Sequence, residues 1–360
     1  MVEFFNQMSK YGHEQVVFCH DKTSGLKAVI AIHNTILGPS LGGLRMWPYK
    51  NESEAVEDAL RLSKGMTYKN AAAGLNIGGG KAVIIGDSKK DKSEALFRAF
   101  GQFVDSLGGR YITAEDVGTC VEDMEMIKLE TDYVSGLPEK EGGGGDPSPY
   151  TAQGTFEGIK IAVKHRLKRD DLKGVKVAVQ GLGHVGYYLC KYLSKKGAEL
   201  IVCDIDEDRV KKIVKKYNAT AVGINDIYGV NCDVFAPCAL GAVINDETID
   251  TLTCSIVAGA SNNQLLDEIK HGEILKKKNI LYAPDYIINS GGVINVYYEA
   301  INQYNKDKVS KKVDKIYNTL DEIFKSSKEA NITTNEAAAK LSEDRINNIS
   351  GIHNFYRKNK

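Results

Sequence analysis

The chain has no CxxC pair, no apolar run near bilayer length and no excess of either charge. Each absence closes a class of function. Its seven cysteines are scattered and odd in number, which argues against a disulfide frame and a zinc site and fits a reducing cytoplasm. No metal site is expected. A membrane span needs roughly 20 apolar residues, and none is present. The N-terminal "MVEFFNQMSKYGHEQ" lacks the basic-then-apolar pattern of a signal peptide. Lys+Arg and Asp+Glu both number 47, so charge gives no case for nucleic acid or an anionic membrane as partner. Proline is also scarce: of seven, three gather in "LPEKEGGGGDPSPY" (137–150) beside four consecutive glycines. No regular element is expected there, and the segment reads as a linker between two domains.

What is present is an α/β pattern. At 360 residues, two domains are expected. In the first, 1–145, "LKAVIAIH" (26–33), "AVII" (82–85) and "RYIT" (110–113) read as strands. "SEAVEDALRLSKGM" (53–66) reads as a helix ending before Lys69. "DKSEALFRAFGQFVDSLGG" reads as a helix opened by a capping box at Asp91 and Glu94 and closed at Gly108. In the second, 146–330, strands at 175–180, 200–204, 232–237, 255–260 and 280–284 are separated mostly by helical or loop segments. That alternation predicts a parallel, doubly wound sheet of Rossmann type. The last stretch, about 330–360, is helical and is expected to fold back on the first domain.

The second domain carries a dinucleotide signature. Gly181, Gly183 and Gly186 stand between a strand and a helix, and Asp204 ends the next strand. The glycines serve a tight turn, close approach to a pyrophosphate, and close packing of helix on strand. Asp204 is suited to ribose hydroxyls and repels a 2′-phosphate, so NAD is the expected cofactor. No arginine immediately follows it. His184, inside the turn, reads either as a pyrophosphate contact or as a solvated turn residue. Asn262, Asn263 and Asn289 follow later strands, at the ends where such sheets bind ligands.

The first domain carries "GLNIGGGK" (74–81). It resembles a phosphate loop but fails as one. That motif needs a glycine where Leu75 stands and a hydroxyl where Ala82 stands, and it runs from strand to helix. A lysine among glycines and apolar residues has little water, so its ammonium is disfavoured and it becomes a base near neutral pH. Lys69 and Asp116 are the other charged groups of this set. The plain alternative is that both lysines are exposed surface charges.

The stretches "GPSLGGLRMWPY", "EDALRLSKGMTYKNAAAGLNIGGGKAVIIGD", "GRYITAEDVGT", "DPSP", "APCALGAVIND" and "APDYIINSGGVINV" occur in this order across nearly the whole chain. They resemble the glutamate/leucine/phenylalanine/valine group of amino-acid dehydrogenases. The resemblance implies NAD-dependent oxidative deamination of an L-amino acid to a 2-oxo acid and ammonia. It implies that Lys69 holds the substrate carboxylate, that Lys81 activates the attacking water, and that Asp116 exchanges a proton with the substrate nitrogen. Gly42 and Met66 match positions near the substrate. Thr151 matches a contact at the nicotinamide end of the cofactor, and Asn262 one near nicotinamide and substrate amine. Leu41, Ala114, Val293 and Val296 match an apolar lining, which favours branched aliphatic substrates. The resemblance also implies that Gly78 to Gly80 clear space around the substrate, with Gly80 bearing on which amino acid is used. Phenylalanine- and valine-type members, and a non-catalytic NAD-binding protein, are the alternatives. A homo-oligomer is implied, an octamer in the leucine-acting members.

Overall fold

The structure, a computed structural model, describes residues 4–239 and 241–353. The chain divides into two compact units, Met1–Asp146 with Asn295–Asn305 and Ser342–Lys360, and Pro147–Ile294 with Lys306–Leu341. The first unit thus takes in Asn295–Asn305, which lies inside the continuous 146–330 stretch expected for the second.

The first unit contains α1 (Phe4–Tyr11), β1 (Gln15–Asp21), β2 (Leu26–Asn34), β3 (Ser40–Trp47), α2 (Glu52–Ala72), β4 (Gly78–Ile85), α3 (Glu94–Ser106), β5 (Tyr111–Glu115) and α4 (Val121–Lys128). Its sheet has the order β1-β2-β4-β3-β5. β1 and β2 pair antiparallel, as do β2 and β4, whereas β3 runs parallel to both β4 and β5. β2, apolar along most of its length, is buried on both faces. On one face, Leu44, Met46, Ala82 and Ile84 meet Phe97, Phe100 and Val104 of α3 and Tyr111 of β5. On the other, Val29, Ala31 and Val83 meet Ala55, Val56, Ala59 and Leu60 of α2.

Helix α2 starts where the Asn51 side chain accepts from the Glu54 N–H at 2.9 Å. It continues beyond the expected end, so Lys69 lies inside its last turn and not after it. The helix continues because Asn70, Ala71 and Ala72 are themselves buried. α3 is capped by Ser93, whose Oγ accepts from the Leu96 N–H at 3.2 Å. The expected cap, Asp91, instead accepts from the Asp87 N–H at 2.7 Å. The proline- and glycine-rich seam holds one turn of 3-10 helix, Glu139–Glu141, contrary to the expectation of no regular element. Glu299 fixes the seam: its carboxylate accepts from the N–H groups of Gly136, Leu137 and Gly144 at 2.8, 2.9 and 2.8 Å.

The second unit begins at α5 (Ser148–Leu167) and continues through β6 (Lys176–Gln180), α6 (His184–Lys195), β7 (Glu199–Cys203), α7 (Glu207–Tyr217), β8 (Thr220–Ala221), β9 (Val234–Pro237), β10 (Ile256–Val257), α8 (Glu268–Lys277), β11 (Leu281–Tyr282) and α9 (Asp285–Ile288). Then follow α10 (Gly291–Ala300), α11 (Lys306–Val313), α12 (Ile316–Ala330) and α13 (Thr334–His353). α10 and α13 each begin in the second unit and end in the first. The sheet order is β11-β10-β9-β6-β7-β8, all parallel. The chain runs outward from β6 to β8, then restarts at β9 on the other side of β6. This is the 3-2-1-4-5-6 order of a doubly wound dinucleotide fold, with its switch point between β6 and β9. Among the described residues, no helix is long and apolar enough to cross a membrane.

Gly78–Gly80 form the start of β4 itself and not a loop leading into it. Gly79 is wedged against α2: a Cβ there would lie 2.1 Å from the Thr67 nitrogen. Gly65, on the same helix, has nothing within 4 Å of an added Cβ. Gly79→Ala is therefore expected to lower stability by about 2–3 kcal/mol through overpacking, whereas Gly65→Ala is expected to hold or raise it by up to about 1 kcal/mol. Urea unfolding of both variants checks this; equal midpoints would refute the close packing.

Candidate active site

Side chains alternate along β4. Ala82 and Ile84 face α3, and so does Gly80, where a Cβ would lie 2.8 Å from the Tyr111 ring. Gly79, Lys81 and Val83 take the α2 face. Gly80 thus points away from the face that carries Lys81, and its lack of a side chain accommodates Tyr111. Tyr111 in turn donates from its hydroxyl to the Gly42 carbonyl at 2.7 Å, which ties the β3 backbone to β5.

Lys81 is buried, its side chain 6% exposed, and its Nζ donates to Asp116 Oδ2 at 2.6 Å. Asp116 lies just beyond β5, where its N–H donates to Thr119 Oγ1 at 2.9 Å. Gly43 lets it approach β3, since a Cβ there would lie 2.8 Å from the Asp116 Cβ. A second cation reaches the same carboxylate oxygen: Arg45 Nε on β3 donates to Asp116 Oδ2 at 3.2 Å. Arg45 Nη1 also donates to Asp58 Oδ2 on α2 at 2.8 Å. Asp58 further accepts from the Tyr49 hydroxyl at 2.7 Å and from Arg61 Nη2 at 2.9 Å.

Two cations on one carboxylate, Lys81 buried and Arg45 half-buried, set the protonation of all three. Burial pushes the Lys81 ammonium below its ordinary 10.5; Asp116 pulls it back up, and Arg45 adds to the lowering. For Asp116, burial alone would raise the pKa, but Lys81 and Arg45 outweigh it and hold the carboxyl down at about 2. Near neutral pH the site therefore offers a fixed anion and a lysine that releases its proton more readily than an exposed one. Burial of Lys81 rules out the surface-charge alternative for it; Lys69 is half-buried.

Two of the remaining candidates share the face of this pair. Ala114 pairs with Gly43 and Leu41 with Gly79, and by alternation both share the Lys81 face. Both are buried, Leu41 at 1% and Ala114 at 6% exposure. Met66 and Lys69 stand three residues apart on α2, the helix covering this face, and both are half-buried. Val293 and Val296 lie three residues apart on α10, both half-buried; Val293 belongs to the second unit and Val296 to the first.

The second unit presents the residues of its glycine turn together. Gly181 has φ +94°, in the left-handed region. Gly186 packs on it so closely that a Cβ would lie 2.0 Å from the Gly181 oxygen. Gly183 is the N-cap of α6, which leaves the helix N-terminus free of a side chain. Asp204 Oδ2 accepts from the Leu182 N–H at 2.5 Å and Oδ1 from the Asp206 N–H at 2.8 Å. Each carboxylate oxygen retains acceptor capacity for a ribose hydroxyl. This cradle, which side chains would fill, fits a dinucleotide. His184 is the first residue of α6 and is exposed. Thr151, in the first turn of α5, donates to the Pro147 carbonyl at 3.2 Å. Asn262 Oδ1 accepts from Asn289 Nδ2 at 2.7 Å, so two of the three candidate asparagines form one pair.

Three residues escaped the sequence reading. Arg45 and Asp58 were hidden because their partners come from other elements; alternation from Gly43 was the one signal for Arg45. Arg209 lies five residues past Asp204, yet its Nη1 is 3.9 Å from a Cβ placed on Gly183. It is held by Asp206, Nε to Oδ2 3.2 Å.

A doubly wound dinucleotide-type domain and a unit with a desolvated lysine–carboxylate pair suit an amino-acid dehydrogenase, and comparison with known proteins shows that class. The Glu/Leu/Phe/Val dehydrogenase dimerisation domain matches residues 13–133, and the Glutamate/Leucine/Phenylalanine/Valine dehydrogenase domain matches 202–351. The chain belongs to this family. It is 54% identical to the leucine dehydrogenase of Bacillus cereus over 358 residues, 99% of this chain and 97% of that protein. It is 56% identical to the leucine dehydrogenase of Geobacillus stearothermophilus, over 96% of this chain and 94% of that one. Among solved structures, L-tryptophan dehydrogenase from Nostoc punctiforme superposes with a TM-score of 0.86 at 49% identity, covering 96% of this chain and 99% of that chain.

The depressed pKa of Asp116 has a definite sign in stability. Its contribution is present above the ordinary carboxyl value of 3.8 and is lost as pH falls towards about 2. Asp116→Asn is expected to flatten the fall of unfolding free energy over that interval, as read by urea titrations at stepped pH; an unchanged slope would refute the ion pair.

Proposed function

We propose that this protein catalyses the reversible, NAD-dependent oxidative deamination of branched-chain L-amino acids, leucine with valine and isoleucine, to 2-oxo acids and ammonia. The observation that carries the reading is the buried Lys81–Asp116 pair on a face shared with apolar Leu41 and Ala114. A side-chain carboxylate of a glutamate substrate would need a cation where these apolar groups stand. The leucine dehydrogenase relatives support the same choice.

In this reading Lys69 pairs with the substrate carboxylate, with Met66 and Gly42 beside the substrate and Val293 and Val296 adding to the apolar wall. NAD, when bound, accepts the hydride from the substrate Cα. Gly181, Gly183 and Gly186 would hold its pyrophosphate, Asp204 its adenosine ribose, and Thr151 and Asn262 its nicotinamide end. Lys81, neutral, takes the proton of the water that adds to the iminium carbon. Asp116, anionic, exchanges a proton with the substrate nitrogen, and the neighbouring cations return it to the charged form. Each chemical event thus leaves a proton at a named atom: Lys81 Nζ or an Asp116 oxygen.

A second substrate class has an observation in its favour. The tryptophan enzyme from Nostoc punctiforme is nearly as similar over the same length, so aromatic substrates belong in the test alongside phenylalanine- and valine-type use. Asp204 favours NAD, while Arg209 beside the glycine turn makes NADP a necessary arm of it. Residues 13–133 match a domain described as dimerising, which supports a homo-oligomer, with an octamer as the specific proposal. Seven free cysteines, five of them buried, suit the cytoplasm.

Purified protein is expected to reduce NAD with leucine, valine and isoleucine at alkaline pH, with overlapping rates, because one methylene in an apolar pocket is worth only about 1–3 kcal/mol. Much faster turnover of phenylalanine, tryptophan or glutamate would overturn the substrate assignment. Lys81→Ala is expected to lower kcat by about 10²–10⁴-fold while NAD binding by calorimetry persists; near-normal kcat would remove Lys81 from the chemistry.

A further inference from the structure

We propose that Arg45, anchored by Asp58, is a positioning residue for the proton-handling pair: it fixes the Asp116 carboxylate on Lys81 and keeps a second positive charge beside it. The inference rests on the reading of Lys81 and Asp116 as that pair.

The geometry is a chain of charge running across three elements. Lys81 on β4 and Arg45 on β3 meet on one oxygen, Asp116 Oδ2, at 2.6 and 3.2 Å. Arg45 uses a different nitrogen, Nη1, for Asp58 on α2 at 2.8 Å. The planar guanidinium thereby spans two carboxylates with separate donors, which a lysine ammonium cannot reproduce in the same fixed arrangement. Asp58 is itself held by Tyr49 and Arg61, so the outer end of the chain does not swing. Free rotation of Asp116 would let its carboxylate leave Lys81; with Arg45 on the same oxygen, that oxygen is pinned.

Charge points the same way. The groups that act on Lys81 are Asp116 after β5, Arg45 on β3 and Asp58 on α2. On β2, the residue opposite Lys81 is the uncharged Ala31. Lys69 on α2, Tyr111 and Glu115 on β5, and Tyr49 after β3 are the other titratable groups of this neighbourhood. Arg45 opposes protonation of Lys81, and Asp58 moderates that effect. Removing Arg45 therefore makes Lys81 harder to deprotonate and leaves Asp116 with one cation in place of two.

The outer side of the arrangement is open. A cavity of about 430 Å³ has Arg45, Tyr49, Asp58 and Arg61 in its lining, with the carboxylates of Glu54 and Glu57. A small guanidinium compound can thus reach the place vacated by a truncated Arg45, which makes the inference testable by replacement of the lost group.

The experiment uses the full-length enzyme with its best amino acid and NAD. Arg45→Ala is expected to lower kcat by about 10²-fold, the scale of losing orientation alone. KM for the amino acid is expected to change much less. The rising limb of kcat against pH is expected to move towards higher pH by about one unit, as loss of a neighbouring cation requires. Added methylguanidinium should restore part of kcat in Arg45→Ala and none in wild type, and Arg45→Lys should fall between wild type and Arg45→Ala. Unchanged kcat and pH profile in Arg45→Ala would overturn the inference. So would equal loss in kcat and thermal stability with no response to methylguanidinium, which marks a purely structural residue. Lys81→Ala run in parallel separates the two readings: if it keeps near-normal kcat, the pair itself is misassigned; if it is inactive and Arg45→Ala is normal, only the role of Arg45 fails.

Discussion

A lysine ammonium taken out of water must either find an anion or give up its proton, and the first unit is arranged around that constraint. Lys81 sits in the middle of a sheet between β2 and β3, 6% exposed, with Asp116 as its direct partner. Desolvation of a buried charge costs several kcal/mol even after relaxation, so the partner has to be fixed. Asp116 can approach β3 because Gly43 has no side chain in the way, and the turn after β5 is locked by Thr119. The same need explains why a second cation is tolerated: Arg45 brings its own counter-charge, Asp58.

The glycine-rich start of β4 follows from the same packing. Gly79 and Gly80 serve opposite faces of the sheet. One lets α2 cross close enough to bring Thr67 against the Lys81 face. The other makes room for Tyr111, whose hydroxyl ties Gly42 to β5. Three glycines before a lysine resemble a phosphate loop in sequence, yet here they are strand residues without Cβ atoms where two layers press in. The phosphate-binding geometry belongs to the second unit, where Gly181 has a left-handed backbone and Gly186 touches its carbonyl.

Between the two units the division of labour is chemical. In the proposed reaction the first provides proton transfer and substrate recognition through fixed side chains. The second provides a helix N-terminus, glycine backbone and one acidic residue, a set that suits a dinucleotide and little else. The family relationship joins these into one enzyme class. In the proposed reading, choice among leucine, valine and aromatic substrates rests on a few apolar side chains, and one methylene there discriminates by only about 1–3 kcal/mol.

Much was legible in the residues alone. The parallel sheet, the glycine turn with Asp204, and the α3 stripe follow from local periodicity and turn chemistry, which are written in neighbouring positions. Helix ends were less legible. Ser93 capped α3 in place of Asp91, and α2 ran past Lys69, because burial of Asn70 to Ala72 outweighs local signals. Only the tertiary structure decided that Lys81 is buried rather than exposed, that it meets Asp116 from 35 residues away, and that Arg45 and Asp58 extend the pair. Those facts depend on which strands lie side by side and which face each residue takes. Sequence order by itself sets neither, since contact between β3, β4, β5 and α2 is a property of the packed sheet.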